Sequence, residues 1–169
     1  MVFNEKLNLD CLGCNNKETR ENNPNNGLCN VAKSVIDGLP VRCVGDWGKH
    51  KIAFLTRYLN IVGNAMKDKW QGLNYIEVCS GPGRCIDRAS RLEFDGTPLS
   101  VLKTEGVGFF RSILFIDYDP IVVDTLSKRI SLATDIKADI KNKVHVMRGD
   151  YTKPDELIPE IRRFVSKSS

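Results

Sequence analysis

From Asp46 to Met66 the apolar residues Ile52, Leu55, Tyr58, Leu59, Val62 and Met66 return every three or four positions, the spacing that gathers side chains on one face of a helix. Asp46, just ahead of that stripe, has the short oxygen-bearing side chain that caps a helix start. The pattern then changes. Leu73 to Val78, Ser112 to Ile116 and Val144 to Met147 are short runs rich in β-branched and aromatic residues, and each reads as a strand. Helical patterns fill the segments between and after them. Thr97-Pro98 sets a capping hydroxyl before a proline, and the stretch from Pro120 to about Ala133 carries Val122, Leu126, Ile130 and Leu132. A last helix from about Pro154 to Val165 carries Leu157, Ile158, Ile161 and Val165 on one face. Strands alternating with helices predict parallel strands joined by crossover helices, the doubly wound α/β class.

Ligands of such sheets bind beyond the carboxyl ends of the strands. The first predicted strand runs into Glu77-Val78-Cys79-Ser80-Gly81-Pro82-Gly83-Arg84. Gly81 and Gly83 lack a β-carbon and admit a ligand close to the main chain, and Pro82 stiffens the turn between them. The spacing Glu77-x-Cys79-x-Gly81-x-Gly83 is a variant of the acidic-x-Gly-x-Gly-x-Gly turn of S-adenosylmethionine methyltransferases. The second strand ends in Asp117-Tyr118-Asp119-Pro120 and the third in Arg148-Gly149-Asp150-Tyr151. A carboxylate after the second strand can accept from both hydroxyls of a ribose, and one after the third from an exocyclic adenine amine. Asp119 and Asp150 also stand where helix caps and turn residues stand, so both roles remain open for them. Three polar strand ends in this order predict a nucleoside-bearing cofactor.

Composition narrows the class without naming a substrate. The chain has 169 residues, room for about one domain, with 41% hydrophobic and 27% charged residues. No apolar run approaches the roughly 20 residues that span a bilayer, and Met1 to Lys6 lacks the basic and apolar regions of a secretory signal, so a cytoplasmic address is expected. A net charge of +4 is compatible with a nucleic-acid partner but does not demand one.

Six cysteines in a reducing compartment point to metal binding or packing rather than disulfides. Cys11 and Cys14 form a Cys-x-x-Cys pair; with Cys29 and Cys43 they could close a tetrahedral zinc site, although the second pair lacks the two-residue spacing of a zinc knuckle. Cys79 and Cys85, in and after the glycine turn, read as small apolar fillers. Asn15, Asn16, Asn22, Asn23, Asn25 and Asn26 around Pro24 and Gly27 give the first thirty or so residues a composition that cannot bury a core. Such a leader needs a metal or a neighbouring surface to order it. The two histidines, His50 on the first helix and His145 in the third strand, read as packing or solvent-exposed groups. Arg84, Arg88 and Arg91 could face phosphate, or lie in a solvated loop.

Several separate motifs resemble one family. Asp37-Gly38-Leu39-Pro40, Cys43-Val44-Gly45-Asp46-Trp47, Lys49-His50-Lys51 and Arg57-Tyr58-Leu59 come first, followed by Tyr75-Ile76-Glu77 and Ser80-Gly81-Pro82-Gly83-Arg84. They fall in the order of the bacterial three-Cys-motif partner proteins (TcmP), and Asp95-Gly96-Thr97-Pro98-Leu99 matches that family's Gly-Ser-Pro-Leu element with Thr for Ser. The resemblance covers roughly Asp37 to Asp150. It implies a Rossmann-like methyltransferase-type fold encoded beside a partner that carries a three-cysteine motif. It further implies that Glu77, Gly81 and Gly83, with Cys79 at the family's first glycine position and Pro82 in the turn, hold the amino-acid end of S-adenosylmethionine. Asp117 would take the ribose and Asp150 the adenine.

That family's sheet continues beyond a third strand, so the resemblance implies a truncated or split member. The expected organisation is a Cys/Asn-rich extension over residues 1–44 and a truncated Rossmann-like domain over 45–169. Three functions follow as alternatives. The first is a methyltransferase-like cofactor binder, possessing catalysis or not. The second is a non-enzymatic module that pairs with a three-Cys-motif protein or with its own missing half. The third is a zinc-stabilised nucleic-acid-binding protein.

Overall fold

The three apolar runs do form strands, and among the described residues five further strands join them. The computed structural model describes residues 6–12, 14, 28–70 and 72–167. In chain order the elements are β1 (Lys6–Leu7), β2 (Leu28–Lys33), β3 (Pro40–Val44), α1 (Trp47–Met66), β4 (Leu73–Val78), β5 (Arg84–Asp87) and β6 (Leu92–Asp95). There follow α2 (Thr97–Leu102), β7 (Phe110–Asp117), α3 (Pro120–Leu132), α4 (Ala138–Lys141), β8 (Val144–Arg148) and α5 (Pro154–Lys167). Short 3-10 turns cover Leu9–Cys11 and Glu105–Phe109.

β4, β7 and β8 make an all-parallel sheet in that order, with Ile76 beside Leu114 and Leu114 beside His145. A parallel strand with both faces covered must be apolar throughout, and β7 is buried at every residue but Arg111. On one face Ile113 and Phe115 pack with Leu59 of α1, Leu99, Val101 and Leu102 of α2, and Leu126 and Ile130 of α3. On the other, Leu114 and Ile116 meet Leu157, Ile161 and Phe164 of α5. Each such side chain contributes about 1.5–3 kcal/mol when fully buried. The architecture is therefore mixed α/β, with helices on both faces of the parallel sheet.

The second sheet was not legible in the periodicity. It has the order β1-β6-β5-β3-β2, with β3 and β5 parallel and the other pairs antiparallel. The β5–β6 hairpin occupies part of the connection between β4 and β7, where helix alone was expected. Its four-residue strands carry charges on the inward side, Asp87 and Glu93 being buried, so they lack the apolar alternation of a half-buried strand. Residues 28–44, expected to belong to an extension, supply β2 and β3, and β3 pairs with β5 through Cys43 and Ile86. That sheet has a small core of Cys11, Ala32, Val41 and Ile86. The asparagines at 15, 16, 22, 23, 25 and 26, with Pro24 and Gly27, lie outside the described residues.

Two predicted caps are replaced. Asp46 has helical backbone angles and makes no side-chain cap to α1; its carboxylate lies 3.7 Å from the His50 ring instead. At α2 the cap position belongs to Gly96, whose extended backbone leaves Thr97 and Pro98 inside the first turn. Asp119 does cap α3, accepting from the Ile121 N–H at 2.8 Å.

One contact sets the position of α1. A β-carbon on Gly63 would lie 2.2 Å from the Gly106 carbonyl oxygen, and one on Gly106 would lie 2.4 Å from that of Leu59. Helix backbone thus touches the backbone of the 3-10 turn that leads into β7, and Asn60 Oδ1 accepts the Gly106 N–H at 2.9 Å. Gly63→Ala and Gly106→Ala are each expected to lower the unfolding free energy by about 1–3 kcal/mol through overpacking. Gly108→Ala, where nothing lies within 4 Å of a built β-carbon, should be close to neutral; urea denaturation of the three variants checks the contrast.

Candidate functional site

The chain leaves β4 through a turn in which alternate residues take positive φ: Cys79 at 64°, Gly81 at 75° and Gly83 at 88°. For Cys79 that conformation costs about 1–2 kcal/mol, so the surroundings must hold it. They do so from three sides. The Ser80 N–H donates to the Ile116 carbonyl at 3.0 Å and the Gly81 N–H to Asp117 Oδ2 at 2.9 Å, tying the turn to the end of β7. The Gly96 N–H donates to the Gly83 carbonyl at 2.8 Å. Arg129 of α3, 3% exposed, donates through Nη1 to the Pro82 carbonyl at 2.6 Å. Its Nε and Nη2 grip both oxygens of Asp37 at 2.7 and 3.0 Å, and Nη2 also reaches the Leu39 carbonyl at 3.1 Å.

Beneath this turn lies a cavity of about 90 Å³, lined by Arg42 of β3, Trp47 and Lys51 of α1, Ser80, Phe94 and Thr97 among others. Ser80 is 6% exposed and its hydroxyl is buried without a hydrogen-bond partner among the described residues; so is Arg42 Nε. A β-carbon on Gly81 would lie 3.6 Å from Arg42 Nη1, which places the guanidinium over the turn's main chain. Buried polar groups without partners are rare and costly. Here both groups belong to residues that line one small space beside the turn.

Glu77 sits next to this cavity. Burial pushes its carboxyl up to about 7, against the opposing pull of the Tyr75 hydroxyl, the Lys51 ammonium and the Thr97 side chain, of which the last two also line the cavity. Tyr75 donates to Glu77 Oε2 at 3.1 Å. The carboxylate is thus half-protonated near neutrality, and a cation arriving beside it would favour its charged form.

The other predicted cofactor residues are placed as follows. Asp117 is 4% exposed and faces the turn, accepting from Gly81 N–H and, at 3.3 Å, from Asp119 N–H. Asp150 is half-buried and folds back on its own turn, accepting from the Thr152 N–H at 2.9 Å and its hydroxyl at 2.7 Å; those bonds hold its carboxyl below the usual range. The ends of β7 and β8 are joined by the Gly149 N–H to the Asp117 carbonyl at 2.9 Å. Asp117 and Asp150 both act on Cys79, whose thiol is raised first by burial and then by their charge, with Arg42 and Lys51 opposing. Glu77, Cys79, Gly81, Pro82, Gly83 and Asp117 therefore form one locus with Asp150 at its edge.

Arg42, Ser80, Lys51 and Thr97 were not singled out from sequence. Ser80 lay inside the motif, but nothing in a one-dimensional pattern says that its hydroxyl is unpartnered; Arg42 belongs to a strand the periodicity did not show.

The four leader-side cysteines come near one another. Cys11 packs with Cys29 in the second sheet's core, and burial, then the neighbouring thiols of Cys29, Cys14 and Cys43, push its thiol up to about 11. Cys29 Sγ accepts the Ala32 N–H at 3.3 Å. Among the described residues, however, no group of three or more His, Cys, Asp or Glu is set to hold a metal ion. Arg84 does not face outward: it lies 3.2–3.7 Å from carboxylate oxygens of Asp37, Glu93 and Asp95. Arg91 Nη2 donates to the Cys14 carbonyl at 3.5 Å. Cys85 is partly buried, as a filler would be, whereas Cys79 is exposed and does not fill a core. His145 stacks edge-on against Phe164, and His50 is exposed beside Asp46. No helix of the described residues is long and apolar enough to cross a membrane.

The raised carboxyl of Glu77 gives a pH dependence of definite sign. Between its usual value of 4.5 and about 7 the folded chain binds the extra proton. Stability should therefore fall as pH rises through that window and level off above it, by roughly 3 kcal/mol. Glu77→Gln should remove most of the slope, as read from melting temperatures between pH 4.5 and 8. No protein-family model matches the chain, and comparison with curated proteins and with solved structures gives no match.

Proposed function

We propose that the glycine turn binds the amino-acid end of S-adenosylmethionine, and that the chain is a methyltransferase-like, Rossmann-type cofactor binder. The observation that carries this reading is the pair of buried, unpartnered groups, Ser80 Oγ and Arg42 Nε, in two residues that line one cavity under the turn. A carboxylate accepts from both. The cofactor's ammonium is the complement of Glu77, which gains its full charge when a cation sits beside it. The parallel order β4-β7-β8, with all three polar ends on one side, supports the Rossmann-type reading.

About 90 Å³ is well below the roughly 300–1,000 Å³ of a whole-ligand pocket. The cavity accordingly takes the amino-acid end alone, and the nucleoside lies outside it, along the ends of β7 and β8. Asp117 keeps lone pairs beyond those given to Gly81 and Asp119 for ribose hydroxyls. Asp150 has its carboxylate at the surface for the adenine amine. When bound, the cofactor supplies an electrophilic methyl group; the chain's contribution is to position it.

The second reading, a non-enzymatic interaction module paired with a three-Cys-motif protein or another chain, draws on β4. It is one of the two outer strands of its sheet among the described residues, and open edges recruit other strands.

Calorimetric titration with S-adenosylhomocysteine separates the two. Saturable binding is expected, weakened at least tenfold in Ser80→Ala and Arg42→Ala, whose partners are lost from the cavity, and abolished in Asp117→Ala, which also frees the turn. Absence of binding by folded wild-type protein would exclude the cofactor reading and leave the module.

A further inference from the structure

The helix that packs α1's inner face into the core also carries large side chains on its outer face. Trp47, Phe54, Tyr58 and Ile61 are 61–68% exposed, and their spacing puts them on one stripe. From Trp47 to Ile61 the stripe runs about 21 Å. Exposed Lys51 and Arg57 are interleaved with it. From Asp46 to Lys69 there are five lysines and arginines against two carboxylates. Solitary exposed apolar residues are ordinary; a contiguous row with three aromatics marks a contact surface.

The row is continuous with the cavity. Trp47 and Lys51, at its amino end, are also among the residues that line the space under the glycine turn. Whatever lies along α1 is thereby led to the mouth of the proposed cofactor site. Two chemistries meet in the stripe: flat π-faces that accept a flat partner, and cations that accept a chain of negative charge. A second copy of this chain would set the same cations against each other, and an apolar peptide would leave Lys51 and Arg57 without complement. A single strand of nucleic acid satisfies both, its bases stacking on aromatics and its phosphates pairing with the cations.

We propose that the outer face of α1 is a docking track for single-stranded nucleic acid, delivering it to the cavity mouth. The track's destination rests on the cofactor reading; its binding does not. The stripe that matters is Trp47, Phe54 and Tyr58 for stacking with Lys51 and Arg57 for phosphate, and Arg84, Arg88 and Arg91 play no part in it.

The test is fluorescence anisotropy of a labelled thymidine 20-mer with the wild-type chain at 50 and 200 mM NaCl, without cofactor. Binding is expected at the lower salt and should weaken at least threefold at the higher. The intrinsic tryptophan emission of Trp70→Phe, in which Trp47 alone reports, should be quenched by the 20-mer. Phe54→Ala combined with Tyr58→Ala should weaken binding at least tenfold with an unchanged salt slope. Lys51→Gln with Arg57→Gln should weaken it and flatten the slope. All four side chains are exposed, and circular dichroism confirms that each variant is folded.

No binding of the 20-mer at 50 mM NaCl overturns the proposal, as does aromatic-variant binding equal to wild type. Displacement of the 20-mer by polyglutamate at equal charge concentration also overturns it, assigning the face to an acidic protein. Because S-adenosylhomocysteine titration is a separate measurement, loss of the cofactor reading leaves the 20-mer result intact, and loss of 20-mer binding leaves the cofactor reading intact.

Discussion

The buried guanidinium of Arg129 is the constraint on which the arrangement depends. Its donors are spent on Asp37, on the Leu39 carbonyl and on the Pro82 carbonyl, so one side chain joins α3, the β2–β3 connection and the glycine turn. Burying a charge is expensive, and a paired one often contributes little net stability; losing one partner of such a pair costs roughly 3–5 kcal/mol. Its value here is positional. Asp37 is held below the usual carboxylate range by Arg129 and by the Leu39 and Ser34 groups, against the opposing effect of burial, and the second sheet is thereby pinned against the helices of the first.

With that joint in place, the strained turn becomes affordable to the fold. Cys79 sits at positive φ because Ser80 and Gly81 are bonded to β7 on one side and Pro82 and Gly83 to α3 and Gly96 on the other. Gly83, at a φ of 88°, would be strained with any side chain, and a β-carbon there would crowd Leu126 Cδ1 at 3.0 Å. The turn is consequently held on both sides, and the Ser80 hydroxyl and Arg42 Nε stay buried beside it without partners among the described residues.

What could be read in the sequence follows from how each segment is buried. β4, β7 and β8 announced themselves because a sandwiched parallel sheet leaves an apolar run, and α1, α3 and α5 because their inner faces repeat at helical spacing. β5 and β6 did not, because Glu93 and Asp87 point inward and are satisfied by Ser34, Val35 and Ala89 groups far off or just ahead in the chain. The glycine turn and Asp117 were legible as residues. That the carboxylate of Asp117 props the turn, while Arg42, thirty-eight residues before Ser80, completes the cavity, depends on pairings that no local pattern encodes.

The Gly63 contact with Gly106 bears on the helix as a mechanical part. Side-chain packing yields by rotamer changes, whereas two main chains in contact have nothing to rotate. α1 is referenced directly to the connection that enters β7, the strand that also anchors the glycine turn. Helix and turn therefore share one datum, and the spacing between the outer stripe and the cavity mouth behaves as a fixed gauge length: a load placed on the helix moves the turn with it rather than opening a gap between them.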